Sequence, residues 1–184
     1  MRYASIEAEV VNGNDYGISL YVQGCHFHCQ GCFNQKTWDF NGGEEWTENV
    51  KEGFFTHVNN SYVKRITILG GEPLADENLD DVLSLIEEIH KRFPDKKIWL
   101  YTGYTWNELV YPVVPPMFSL KEYECLKKRK NIVSLCDVLI DGRFEEDKKD
   151  LTLQFRGSSN QRLIDVQKTL NDNNKIVLWT DRGK

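Results

Sequence analysis

Between Asn78 and Pro94 the apolar residues Leu79, Val82, Leu83, Ile86, Ile89 and Phe93 recur at helical spacing, with Asp80, Asp81, Glu87 and Glu88 outside that stripe. This pattern predicts an amphipathic helix, capped by Asn78 and ended by Pro94-Asp95. Val50, Phe54, Phe55 and Val58 form a similar inward stripe behind a capping Thr47. Thr105-Trp106-Asn107-Glu108 and Ser119-Leu120-Lys121-Glu122 both read as capping boxes, the second opening a helix to about Lys128. Prolines interrupt the pattern between Tyr111 and Pro116.

Short runs of β-forming residues alternate with these helices. Ile18–Gln23, Arg65–Leu69 and Lys97–Thr102 predict strands, and Ile6–Val11 a looser one before the turn at 12–17. Asp137–Phe144 carries an apolar run between acidic ends, the pattern of a strand buried on both faces. Gln161–Val166 and Lys175–Trp179 are late strand candidates. Alternation of this kind predicts an α/β class with mostly parallel strands. A complete β/α barrel takes about 250 residues. The chain has 184, so the expectation is a single domain over 1–184 built as a partial barrel, open at one side. Such an opening suits a large partner that supplies the missing wall.

Composition narrows the function. Apolar residues make up 40% and charged residues 28%, ordinary for a soluble globular protein. A net charge of −5 argues against a nucleic-acid surface that works by neutralising phosphates. No apolar run reaches membrane-spanning length, and the start of the chain has no apolar signal core. Five cysteines, three of them crowded together, point to a reducing, cytoplasmic compartment rather than a disulfide framework.

The crowded three are Cys25, Cys29 and Cys32, spaced C-x3-C-x2-C directly after a strand. Thiolates so close repel one another unless a metal lies between them, and soft thiolates select zinc, copper(I) or iron–sulfur clusters. A structural zinc site takes four ligands, and so usually does a cubane cluster. Three cysteines on a cubane would leave one iron open. Gly24 and Gly31 supply tight bends beside the cysteines, and Phe27 and Phe33 are placed to shield a cluster from water. His26 and His28 read as solvated residues or as residues behind the ligands. Cys125 and Cys136 have no cysteine neighbour at metal spacing and read as structural. Gly70-Gly71-Glu72-Pro73 follows a second strand and offers bare backbone for close approach of a ligand.

The cysteine spacing with its adjoining Phe33, together with Gly70-Gly71-Glu72-Pro73, resembles the radical S-adenosylmethionine enzymes. Tyr101–Tyr104, Asp137–Phe144 and Arg156–Gln161 narrow the resemblance to the activating proteins of anaerobic ribonucleotide reductases, over about Val11–Asn160. The resemblance implies a radical S-adenosylmethionine fold and a [4Fe-4S] cluster on Cys25, Cys29 and Cys32. It implies S-adenosylmethionine on the fourth iron, with contacts from Gly31, Cys32, Phe33, Gly70, Gly71, Glu72, Thr102 and Gly103. Phe33 would lie beside the adenine, and the Arg156–Asn160 loop would help close the site. One electron from a flavodoxin or ferredoxin would cleave the sulfonium bond, and the resulting radical would take a hydrogen atom from a glycine of the reductase large subunit. Hydrogen-atom abstraction needs no general base, so none is nominated.

Other readings stay open on sequence. A radical enzyme acting on a small molecule, like the 7-carboxy-7-deazaguanine synthases, shares the cluster loop. Activation of a different glycyl radical enzyme is a second alternative. A non-enzymatic zinc module is the third, and it needs His26 or His28 as a fourth ligand.

Overall fold

The computed structural model describes residues 1–113, 119–173 and 175–181. Its centre is one seven-stranded sheet in the order β3-β1-β2-β4-β5-β6-β7. The strands are β1 (Arg2–Glu9), β2 (Gly17–Val22), β3 (Glu44–Glu45), β4 (Arg65–Gly70), β5 (Lys97–Tyr101), β6 (Val138–Asp141) and β7 (Arg162–Asp165). β2, β4, β5 and β6 pair in parallel. β1 and β7 run against their neighbours, and β3, antiparallel to β1, runs with the central four. The expected α/β class with mostly parallel strands is therefore present.

Helices α1 (Glu48–Val58), α2 (Leu79–Arg92), α3 (Trp106–Val110), α4 (Leu120–Ser134) and α5 (Val166–Asn171) supply the connections. Alternation along each strand sends Leu20, Ile66, Ile68, Ile98, Leu100 and Leu139 into the main core with residues of α1–α5. The other face of the sheet carries a smaller cluster of Trp99, Val138, Ile140 and Leu163, over which Phe155 and Trp179 pack. Below it lies a polar brace. Arg65, fully buried on β4, donates to the Glu9 carboxylate at 3.0 Å and to backbone carbonyls of Asn12 and Asn14.

The expected caps of α1, α3 and α4 are all in place. The Thr47 hydroxyl accepts from Val50 N, and Thr105 and Ser119 each close a reciprocal box with a glutamate three residues on. Other expectations are corrected. The first strand lies at Arg2–Glu9 rather than Ile6–Val11, because it pairs with β2 from Tyr3 onward. Helix α4 continues past Lys128 to Ser134, burying Ile132 and Val133. The chain from Lys175 to Trp179 makes an isolated bridge, Leu178 to Ile164, instead of a strand. Asn78 stands at the cap position of α2, yet its side chain makes no capping bond. Pro115, Pro116 and the last three residues of the charged tail lie outside the described residues.

Candidate active site

Parallel strands end together, so β2, β4, β5 and β6 deliver their following loops to one rim of the sheet. The cysteine loop follows β2. Gly24 turns it with φ +93, and the Phe40 ring fills the space where a side chain at Gly24 would stand. Gly24 N and Cys25 N donate to Thr37 and Trp38 carbonyls at 2.8 and 3.0 Å, folding the loop back on itself. His28 has φ +46, and the amides of Phe27 and His28 both reach the Cys25 sulfur.

The loop after β4 is laid beside it. Gly71 N donates to Val22 O at 2.8 Å and Glu72 N to Gly24 O at 2.7 Å, so strand pairing continues into the loops. A Cβ at Gly71 would run into the Gly24 and Thr37 carbonyls. Glu72 is 2% exposed. Its carboxylate accepts from Thr102 Oγ1 and Leu74 N at 2.8 Å and from Gly103 N at 2.7 Å. Burial pushes its pKa up to about 7, against the pull of those three donors. Glu72 thus ties the loop after β4 to the end of β5.

A cavity of about 580 Å³ opens at this rim. Cys25, Cys29, Cys32, Phe27, Phe33, Gly70, Gly71, Glu72, Thr102 and Gly103 all line it. Gly31 does not. It sits behind the loop at φ +73, with the Glu146 carboxylate in the space a Cβ would need. Phe33 is 59% exposed at the mouth, packed on the Phe144 ring and on Gly157.

The far wall is the segment from Arg143 to Gly157. Gln161 hangs it in place: its Oε1 accepts from Gly157 N and Ser158 N at 3.0 and 3.2 Å, and its Nε2 donates to Gly142 O at 3.0 Å. The Tyr101 hydroxyl donates to Phe155 O at 2.8 Å. The Arg143 guanidinium lies 4.4 Å over the Phe27 ring, and the Phe144 amide reaches Cys29. Tyr21 and Tyr101 line the floor; Tyr101 opens a stretch that carries the resemblance but was not given a site role, and Tyr21 was not selected at all. Their signal was the period-2 alternation that turns Tyr21 and Tyr101 away from Leu20 and Leu100.

The donor set fits an iron–sulfur cluster. Three soft sulfurs line one cavity. Burial pushes the Cys25 and Cys29 thiols above their ordinary range, and Cys32 adds to the effect at Cys29. Such thiols become thiolates when a metal supplies the compensating charge. The zinc alternative fares worse. His26 pairs with Glu77 at 3.0 Å beside Phe40, and His28 stacks on Trp38 at 4.6 Å. Neither histidine lines the cavity.

Three further residues are structural. Asp141, at the end of β6, is buried against Arg162 and accepts from Trp106 N at 2.8 Å. Cys136 is buried and donates to Ile132 O, and Cys125 is a buried residue of α4.

Residues 11–164 match the model of a family described as a 4Fe-4S single cluster domain. The chain is also similar to proteins named anaerobic ribonucleoside-triphosphate reductase-activating protein. That of Salmonella typhi is 35% identical over 164 residues, covering 88% of this chain and 96% of the relative. That of Escherichia coli K12 is 36% identical over 155 residues, covering 83% and 90%. That of enterobacteria phage T4 is 35% identical over 164 residues, covering 89% and 93%.

Proposed function

Because the chain belongs to the 4Fe-4S single-cluster family and to the anaerobic ribonucleoside-triphosphate reductase-activating proteins within it, we propose that it installs a glycyl radical on an anaerobic ribonucleotide reductase. One observation carries the proposal: three thiols line a cavity whose adjoining wall is the bare backbone of Gly70 and Gly71. A [4Fe-4S] cluster held by Cys25, Cys29 and Cys32 would supply the one-electron reduction of S-adenosylmethionine from which hydrogen-atom abstraction at a reductase glycine starts.

The chain's own residues have simpler tasks. Cys25, Cys29 and Cys32 hold the cluster, and the amides of Phe27, His28 and Phe144 stabilise the sulfurs. Gly70, Gly71, Thr102 and Gly103 admit the methionine and ribose portions of the cofactor, with Phe33 beside the adenine. Phe27 and Arg143, stacked on each other, wall the cavity beside the thiols. Glu72 lines the cavity and holds Thr102 and Gly103 beside the cofactor site, and its three protein donors leave one acceptor position for the cofactor.

The finer architectural reading is an incomplete barrel of radical S-adenosylmethionine type, one domain over 1–184. Two features support it: β3 and β7 stand at opposite ends of the strand order, and one face of the sheet is left to the cavity and its aromatic floor. A flavodoxin or ferredoxin as electron donor and a cytoplasmic location complete the proposal. Among the described residues no helix is long and apolar enough to cross a membrane.

The test is anaerobic reconstitution with iron and sulfide, then S-adenosylmethionine, a reductant and the reductase large subunit. Electron paramagnetic resonance should show a glycyl radical on the reductase. Cleavage of the cofactor without any radical on a reductase glycine would defeat the proposal.

A further inference from the structure

The side-chain amide of Asn78 links two loops that the reaction needs in register. Its Nδ2 donates to Gln23 O and to Glu72 O, both at 3.0 Å. Gln23 is the residue before Gly24-Cys25, and Glu72 follows Gly70-Gly71. Asn78 is 1% exposed, so no water competes for these bonds. An asparagine at a helix start ordinarily accepts from the first backbone amides of the helix. At Asn78 that bond is absent, although the residue occupies the cap position of α2. The two hydrogens of a planar amide diverge at a fixed angle, so one side chain sets the separation of two carbonyls.

We propose that Asn78 is a positioning residue that fixes the distance between the cluster loop and the Gly70-Gly71-Glu72 loop, and with it the fit of S-adenosylmethionine to the open iron. The brace extends further through Glu72, which holds Thr102 and Gly103 at the end of β5. Three loops after β2, β4 and β5 are thereby joined by two buried side chains. The inference rests on the function proposed above.

Asn78→Ser and Asn78→Ala test it. The native side chain makes no capping bond, so α2 keeps its start while the two N–H donors are lost. The variants are reconstituted beside the wild type without any reductase. Iron and sulfide per chain, the melting temperature, the affinity for S-adenosylmethionine and the change it induces in the reduced cluster's resonance spectrum are recorded. Both variants should load iron like the wild type, melt only a few degrees lower as the buried Gln23 carbonyl loses its donor, bind S-adenosylmethionine at least tenfold more weakly, and show a diminished spectral change. Unchanged affinity would overturn the inference. So would parallel losses of cluster loading and melting temperature in both variants, which would make Asn78 a general structural residue. A wild-type protein that loads its cluster but does not bind S-adenosylmethionine would instead defeat the functional reading itself, and the brace with it.

Discussion

The Phe27 ring lies against Gly103, in the space a Cβ at that position would need. One residue comes from the cysteine loop and the other from the end of β5. The ring also meets Tyr104 edge-on at 4.9 Å and carries Arg143 on its face. Gly103→Ala should displace this ring from its place in the cavity wall. Cluster loading should survive, while reductive cleavage of S-adenosylmethionine falls about tenfold, about 1.4 kcal/mol in the barrier. Chromatographic measurement of released 5′-deoxyadenosine reads the effect directly.

Replacing Cys25, Cys29 or Cys32 singly with alanine should separate the site from the fold. The three thiols stand in a loop, only partly buried and outside the main core. Each variant should lose the cluster's visible absorbance and most of its iron. Stability of the metal-free protein should change by no more than about 1 kcal/mol, as for substitutions away from the packed interior. A urea titration of the metal-free variants decides the second point.

Glu72 makes stability depend on pH with an unusual sign. Burial raises its folded pKa from 4.5 to about 7, so between those values the folded chain holds more protons than the unfolded one. Stability contributed by the neutral carboxyl is complete below about pH 4.5 and is lost as pH rises through about 7. The span corresponds to about 3 kcal/mol at most. Calorimetry of the metal-free protein from pH 5 to 8 should show this decline. Glu72→Gln, which cannot titrate, should flatten it relative to the wild type.

Arg65 should be the costliest single charge to remove. It is fully buried, and its partner Glu9 is nearly so. Arg65→Met leaves the Glu9 carboxylate with only its neutral donors, Ser19, Val11 and Asn12, and takes a donor from the Asn12 and Asn14 carbonyls. The expected loss is about 3–5 kcal/mol, the usual result of breaking a buried pair from one side. Chemical denaturation would measure it.

Much of this architecture could be read from residue order. The stripe Leu79-Val82-Ile86-Ile89 is buried as its spacing required, and the capping boxes at Thr105 and Ser119 are formed. Local rules suffice there because the partners lie within one turn. The cysteines and the Gly70-Gly71 loop were legible for a different reason: their spacing is chemical and survives any detail of packing. What failed depended on distant partners. The first strand was placed too late because its boundary is set by pairing with β2. Asn78 was read as a cap, but two carbonyls from other loops claim its amide. Tyr21 and Tyr101 are ordinary strand residues in sequence, and only closure of the Arg143–Gly157 wall turns their side of the sheet into a cavity floor. Lys175–Trp179 has strand composition, yet it meets its neighbour at a single bridge.

The polarity of the sheet also divides the molecule for anyone who wishes to modify it. Strands β2, β4, β5 and β6 aim their carboxyl ends at the thiols, so the turns entering β4 and β5 lie at the remote rim. The turn between α1 and β4 is of this kind, with Asn59, Asn60, Ser61 and Tyr62 all exposed. A peptide tag or fluorophore grafted between Ser61 and Tyr62 would stand about 20 Å from the chemistry, the length of a six-residue strand. Here a surface anchor or reporter can be attached while the reactive rim stays free for its protein substrate.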